Sequence, residues 1–372
     1  MKIVIASDSF KGSMTSVDVA QAAAKGIYEV YPDCQVVAVN VADGGEGTVE
    51  AIVDSLGGEI VVARVADPLG REIDARYGIA GDTAIIEMAA ASGLPLLKQE
   101  ERNPWLTSTY GTGEMIMDAI ARGCRQFLVG IGGSATNDAG TGMLQAMGFR
   151  FYDANGEMID HCAGGRMQDI ARIDDSQVPE SVRQSVFTVA CDVDTPFCGP
   201  DGAAPVFAPQ KGADAEMVAR LDAGMASLAK VIADRYGLDV VPVAGAGAAG
   251  GMGGAFYAFL QATLKKGIDM VLDAIDFDKT IEGADFVITG EGKVDFQTAK
   301  GKTAAGVLAR AKQQAIPVIA IGGCVEMCDS LLQMGFAGIY PILEEKVPLE
   351  VAMQRDFAMN NVTKAVARVL KK

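Results

Sequence analysis

At both ends of the chain, short apolar, β-branched runs alternate with longer segments whose apolar positions recur at helical spacing. Residues 3–6 and 35–41 read as buried strands, followed by helical patterns at 17–31 and 48–56. The alternation returns near the C-terminus, with strands predicted at 286–289, 318–321 and 338–341 and helices at 304–314, 327–334 and 353–370. Strand–helix alternation of this kind predicts a parallel sheet. Between the ends the pattern changes. Runs at 60–65, 76–79 and 83–87 look like a small antiparallel insertion or edge, and glycine-rich loops follow at 130–142 and 245–254. The expected architecture is α/β: a parallel-sheet domain built from residues 1–92 and 283–372, and a central α/β domain, 93–282, inserted between them.

Polar loops follow the strands, where open α/β sheets place their ligands. The most informative stretch runs from Asp285 to Thr303. An apolar run ends at Thr289 and gives way to Gly290-Glu291-Gly292, then to Lys293, Asp295, Lys300 and Lys302 ahead of a helix. Glycines let a backbone approach phosphate, lysines neutralise it, and carboxylates can hold Mg²⁺. Gly301-Lys302-Thr303 is not a P-loop, because position 296, where that motif requires glycine, is Phe. At the other end of the chain, Asp8, Ser9 and Lys11 follow the first strand, and a helix N-terminus near Ser16 adds amide donors for an anion. An N-capping turn would explain Thr15 or Ser16 but not Asp8 and Lys11. After the second strand, Asp43, Gly44, Gly45 and Glu46 set two carboxylates among glycines, a composition suited to Mg²⁺ or hydroxyl recognition.

The central segment adds Gly132, Gly133, Ser134, Thr136 and Asn137 as prospective anion donors, and Asp192 and Asp194 at a strand end, where a metal ligand or general base and a solvated turn are equal readings. Gly245, Gly247 and Gly250 match G-x-G-x-x-G, with Gly251 beside them. Asp269, at the spacing of a ribose-binding acid, opens an apolar run instead of closing one, so a dinucleotide site is a minor reading and another substrate loop or tight packing the larger ones.

Composition narrows the class. The 372 residues are 49 % hydrophobic with 44 glycines, enough for two cores. A formal charge of −16 argues against nucleic acid and anionic membrane as partners, and leaves any anionic substrate dependent on local lysines. Seven cysteines without a C-x-x-C pair and a strand beginning at the first residues suggest reduced thiols and a cytoplasmic location. A single histidine, His161, excludes zinc sites built on histidine pairs.

Taken in order, Ser7-Asp-Ser-Phe-Lys-Gly12, Ala42-Asp-Gly-Gly-Glu-Gly-Thr48, Gly132-Gly-Ser-Ala-Thr-Asn-Asp138, Cys191-Asp-Val193, Pro209-Gln-Lys-Gly-Ala213, Gly247-Ala-Ala-Gly-Gly-Met-Gly253 and Thr289-Gly-Glu-Gly292 resemble the type I glycerate kinase family over essentially the whole chain. The resemblance implies a flavodoxin-like domain from both chain ends joined to an inserted α/β domain. It also implies ATP- and Mg²⁺-dependent phosphorylation of D-glycerate in a cleft between them, to 2-phosphoglycerate, with 3-phosphoglycerate as the alternative. On that reading Lys11 and Lys293 meet phosphate or the glycerate carboxylate. Asp43, Glu46 and Glu291 hold Mg²⁺ or a substrate hydroxyl, and Asp8 or Asp192 takes the hydroxyl proton. The loops at Gly132 and Gly247 lend backbone donors. An NAD-dependent oxidoreductase and a non-catalytic sugar-acid sensor remain as other classes, and a homodimer stays open.

Overall fold

The computed structural model describes residues 1–45, 47–345 and 347–371. Its strands in chain order are β1 (Lys2–Ser7), β2 (Gln35–Asn40), β3 (Glu59–Ala66), β4 (Glu72–Ala80), β5 (Thr83–Glu87), β6 (Gln126–Gly130) and β7 (Arg150–Tyr152), then β8 (Arg172–Asp174), β9 (Val186–Ala190), β10 (Thr263–Lys265), β11 (Phe286–Val294), β12 (Val318–Val325) and β13 (Gly338–Pro341). The chain divides into two compact units. One comprises residues 1–43, 50–56 and 268–372, and the other residues 44–49 and 57–267.

The terminal unit carries a five-stranded, all-parallel sheet in the order β13-β12-β11-β1-β2. Counted along this unit alone, that is the 2-1-3-4-5 order of flavodoxin-like folds, with its switch point between β1 and β11. Both faces of such a sheet are covered, which is why its strands are nearly continuous in Ile and Val. On one face Ile3, Ile5, Ile288 and Ile321 pack with Val19, Ala23 and Ile27 of the helix Ser16–Tyr28 and with Val362 and Val366 of the helix Arg355–Leu370. Thr363 Oγ1 donates to the Ala22 carbonyl at 2.9 Å, tying the two helices. Thr15 closes a capping box on the first of them: its hydroxyl accepts from Asp18 N–H, and the Asp18 carboxylate accepts from Thr15 N–H, both at 3.1 Å. The cap leaves Asp8 and Lys11 to other work.

The other unit is built on the sheet β10-β9-β6-β5-β4-β3. Strands β10, β9, β6 and β5 are parallel, and β5, β4 and β3 form an antiparallel meander. Its core includes Phe127 stacked on Phe187 at 4.8 Å, with Phe256 tilted against Phe187 at 5.8 Å. A short β7–β8 ribbon stands apart.

Two sequence expectations change here. Residues 57–92 were expected in the terminal domain; their strands hydrogen-bond into the second sheet through β5 and β6, so after residues 50–56 the chain leaves the terminal unit at Gly57 and returns at Ile268. A meander with one polar face reads equally well as the edge of either sheet, and only the β5–β6 pairing decides. The strand expected to end at Thr289 runs on to Val294, because β12 continues beside it and pairs Glu291 with Gly322 and Lys293 with Cys324. Among the described residues, no helix is long and apolar enough to cross a membrane.

Candidate active site

The two central strands of the terminal sheet deliver two acids to the same end. In-register pairing sets Ser7 opposite Gly290, and the Asp8 amide donates to the Gly290 carbonyl at 2.9 Å. Asp8 thus follows β1 directly, and Glu291 sits one residue beyond Gly290 in β11. Both are buried, at 5 % and 7 % exposure.

Each acid is held by hydrogen bonds. Asp8 Oδ1 accepts from the Ser9 amide at 2.6 Å, and Oδ2 accepts from Thr303 Oγ1 at 2.9 Å. Thr303 is the first residue of the helix Thr303–Gln313, so the helix N-terminus faces the same acid. Burial, and then the nearby Asp43 charge, raise the Asp8 carboxyl above its usual range, against the Thr303 and Ser9 hydrogen bonds and Lys11. Glu291 Oε1 accepts from Thr298 Oγ1. Burial pushes Glu291 up to about 7, opposed by the Thr298 hydrogen bond and Lys302 and aided by Asp8 and Asp295. Acids moved toward neutrality inside a concave site mark candidates for proton transfer or cation binding.

A pocket of about 370 Å³ opens over these acids. Asp8, Ser9, Lys11, Asp43, Glu291, Gly292 and Lys293 all line it, so seven residues singled out in the sequence meet at one place. Lys11 Nζ lies 3.7 Å from Asp43. Lys293 Nζ stands between Asp295 at 3.3 Å and Glu326 at 2.9 Å; Asp295 itself is buried and is not part of the pocket lining. Lys302 also lines the pocket and donates to Gln297 Oε1 at 3.0 Å. Gly290 lies behind it in the sheet. Glu46 is outside the described residues.

The remaining candidates belong to the central unit, at the C-terminal ends of its parallel strands. Gly44, with φ +87°, lies where a Cβ would come within 2.7 Å of Gly267 Cα and 2.8 Å of Ala190 Cβ; only glycine fits. Gly45 follows it, and the Val49 amide donates to Glu87 Oε1 at the end of β5. Asp192 is exposed, and its Oδ1 accepts from the Gly267 amide at 2.9 Å. Beyond β6, Gly132 and Gly133 form an exposed tip, while Ser134, Thr136 and Asn137 are buried. Beneath that loop lies Lys211, 1 % exposed, whose Nζ donates to Ser134 Oγ at 3.1 Å and to the Thr136 carbonyl at 2.5 Å. Burial lowers Lys211 to about 7, against the attraction of Asp138. Asp138 is itself raised by burial, though it accepts from the Thr109 amide and hydroxyl at 2.8 and 2.7 Å. The Asn137 Oδ1 is buried without a hydrogen-bond partner.

Gly247, Gly250 and Gly251 close onto this loop. The Gly247 and Gly251 amides are spent on the Thr195 and Gly247 carbonyls. A Cβ at Gly250, whose φ is +68°, would fall 2.2 Å from the Thr136 carbonyl oxygen. The G-x-G-x-x-G match follows no strand, and close backbone packing accounts for its glycines.

Lys211, Asp138, Thr298 and Thr303 were not singled out from the sequence as site residues. Lys211 and Asp138 stood inside the motifs quoted above, but nothing in a residue letter marks a lysine as buried. Thr303 carried a signal in opening the helix after a Gly-Lys pair.

The chain matches the model of the glycerate kinase family over residues 3–372. It belongs to the glycerate kinase family. It is 46 % identical to a glycerate kinase of Halalkalibacterium halodurans over 95 % of this chain and 93 % of that one. It is 45 % identical to the glycerate 2-kinase of Escherichia coli, covering 98 % and 96 %. A crystal structure from Salmonella typhimurium LT2, provisionally described as glycerate kinase 2, superposes with a TM-score of 0.92 at 43 % identity, covering 100 % of this chain and 97 % of that one. Family membership makes the chain an enzyme, and a kinase.

Two variants check the electrostatics. The folded pKa of Glu291, about 7, lies above its usual 4.5. Between those values the unfolded chain has released a proton that the fold retains, so this group's contribution to stability falls as pH rises through the window. Glu291→Gln removes that term and should gain about 3 kcal/mol on wild type at pH 8 but almost none below pH 4.5, read from urea unfolding. Lys211 has the opposite sign. Its folded pKa is depressed, so the charged form penalises the fold at low pH and the penalty lifts as pH rises above about 7. The Tm difference between wild type and Lys211→Met should therefore move in favour of wild type from pH 6 to pH 9.5; a flat difference would mean that Lys211 is not titrating there.

Proposed function

We propose that this kinase transfers the γ-phosphoryl group of ATP to D-glycerate, giving 2-phosphoglycerate. The observation that carries the reading is the pocket in which buried Asp8 and Glu291 are ringed by Lys11, Lys293 and Lys302 at the switch point of a parallel sheet. Phosphoryl transfer needs in-line positioning and charge neutralisation more than covalent chemistry. The lysines supply neutralising charge, and the N-terminus of the helix Thr303–Gln313 adds amide donors and dipole. The relative named glycerate 2-kinase supports the 2-phospho product.

Asp8 is the group best suited to accept the proton of the attacking hydroxyl. Thr303 Oγ1 and the Ser9 amide fix its orientation, and burial makes it a stronger base than an ordinary aspartate. Asp192, also a candidate base, is exposed and spends one oxygen on the Gly267 amide. The exposed tip at Gly132 and Gly133 offers backbone donors to a carboxylate or phosphate.

Mg²⁺ fits as a companion of the nucleotide. Among the described residues no three His, Cys, Asp or Glu side chains gather as a metal cage. Magnesium commonly takes one or two protein carboxylates and completes its shell with water and phosphate oxygens. The pocket holds three carboxylates, Asp8, Asp43 and Glu291, against three lysines, so a polyanionic nucleotide needs a further cation there. Asp43, with Asp8 beside it, would hold that ion, which would supply charge neutralisation on the β- and γ-phosphates.

The decisive assay incubates the full chain with ATP, Mg²⁺ and D-glycerate and follows the product by phosphorus NMR. A 2-phosphoglycerate signal is expected; 3-phosphoglycerate would change the assigned hydroxyl, and no phosphorylated product would overturn the reading. NADH binding without ATP turnover would favour an oxidoreductase, and glycerate binding alone a sensor. Asp8→Asn should reduce the single-turnover rate by about 10²–10⁴-fold. Asp192→Asn should leave the chemical step within about tenfold of wild type, and a reversed order would move the base to Asp192.

A further inference from the structure

The pocket over Asp8 is larger and more apolar than a three-carbon acid requires. Glycerate bears an oxygen on every carbon and has no apolar face to bury, yet the 370 Å³ pocket is lined by large apolar side chains as well as by charged ones. The apolar lining is formed by Phe10, Ile342, Leu343, Leu349 and Met353. Phe10 and Ile342 are closed into the core at 4 % and 5 % exposure. Leu349 and Met353 remain open at 75 % and 37 %. Single exposed apolar residues need no explanation, but large ones lining a concave site beside a cationic loop do. Gly12, next to Lys11, lies close to Met353: a Cβ there would fall 2.8 Å from Met353 Cε. A side chain there would push the methionine off the loop that carries Lys11. The thioether of Met353 is flexible and polarisable, suited to the face of a flat ring.

A ligand with a polyanionic end and a flat, weakly polar end matches both the charged and the apolar lining. We propose that the terminal-unit pocket is the nucleotide subsite, with the polyphosphate along Lys11, Lys293 and Lys302 and the nucleobase against Leu343, Leu349 and Met353. This rests on the ATP-dependent reading above and extends it by assigning which of the two substrates the pocket takes and which residues select it. The acceptor's anionic groups are then left to other donors of the chain.

The assignment is tested without turnover. ADP with Mg²⁺, and separately D-glycerate, are titrated into the full chain by calorimetry, with wild type compared with Leu349→Glu, Met353→Glu and the double variant. Both positions are open enough for the substitutions to leave the fold intact, which circular dichroism checks. ADP affinity should fall tenfold or more in the double variant, Met353→Leu should keep it near wild type, and glycerate affinity should not move. ADP affinity unchanged in the double variant, glycerate affinity falling in its place, or no ADP binding by wild type would each overturn the assignment. Phosphorylation of glycerate by wild type alongside unchanged ADP affinity in the variants would sink the subsite alone. Loss of ADP affinity in the variants of an enzyme that phosphorylates no glycerate would uphold the subsite and sink the reaction.

Discussion

The structure turns on two carboxylic acids held out of water on adjacent parallel strands, one just past the end of β1 and one within β11. Asp8 and Glu291 are brought together by the β1–β11 pairing, which joins residues separated by most of the chain, and the Asp8 amide is itself part of that pairing. Burying an acid is costly unless it is hydrogen-bonded, and two neighbouring acids cannot both ionise freely. The fold meets this with one threonine per acid, Thr303 for Asp8 and Thr298 for Glu291. Thr298 lies in the segment that links β11 to the next helix, and Thr303 opens that helix. The crossover that makes the sheet parallel thus also delivers the hydroxyls that make the acids tolerable.

That constraint explains why the chain ends must share a sheet. Strand β1 alone carries Asp8 to the sheet edge, and without β11 there is no partner to set its register against Glu291. A long insertion between them is thermodynamically inexpensive, because loop-closure entropy grows only logarithmically with length. It is inexpensive here also because the inserted residues fold into a sheet and core of their own.

Much of this was legible in residue letters, for a physical reason. Parallel strands buried on both faces read as unbroken apolar runs, and the polar loops after them stand out because nothing in a core calls for Asp-Ser-Phe-Lys or Asp-Gly-Gly-Glu. What stayed hidden depended on pairing or burial. Gly290-Glu291-Gly292 looks like a strand breaker, yet it remains strand because β12 runs alongside, and β-structure is set by neighbours more than by propensity. The boundary near residue 57 hung on one strand pairing. The glycines from Gly245 to Gly251 imitate a dinucleotide fingerprint because the same freedom from a side chain serves two ends: close approach to a phosphate, or close approach to another stretch of backbone. Here it is the Thr136–Asn137 backbone that approaches.

The charge balance sharpens the reading of the site. With a formal charge of −16, the molecule as a whole repels the anions that a phosphoryl-transfer enzyme handles. The Debye length at physiological salt is about 8 Å, so the distant charge is largely screened and what counts is what lies within the pocket. There the lysines only match the carboxylates, and Lys11 and Lys293 already face acidic partners. A pocket poised near neutrality binds a free polyanion weakly but accepts one that arrives with its own cation. The same balance keeps Asp8 and Glu291 raised above the ordinary carboxylate range, since stronger lysine pairing would pull them down and leave poorer bases. The weak net charge of the site and the basicity of its acids are therefore two consequences of one arrangement: cations close enough to steer a phosphate and too engaged to quench the carboxylates.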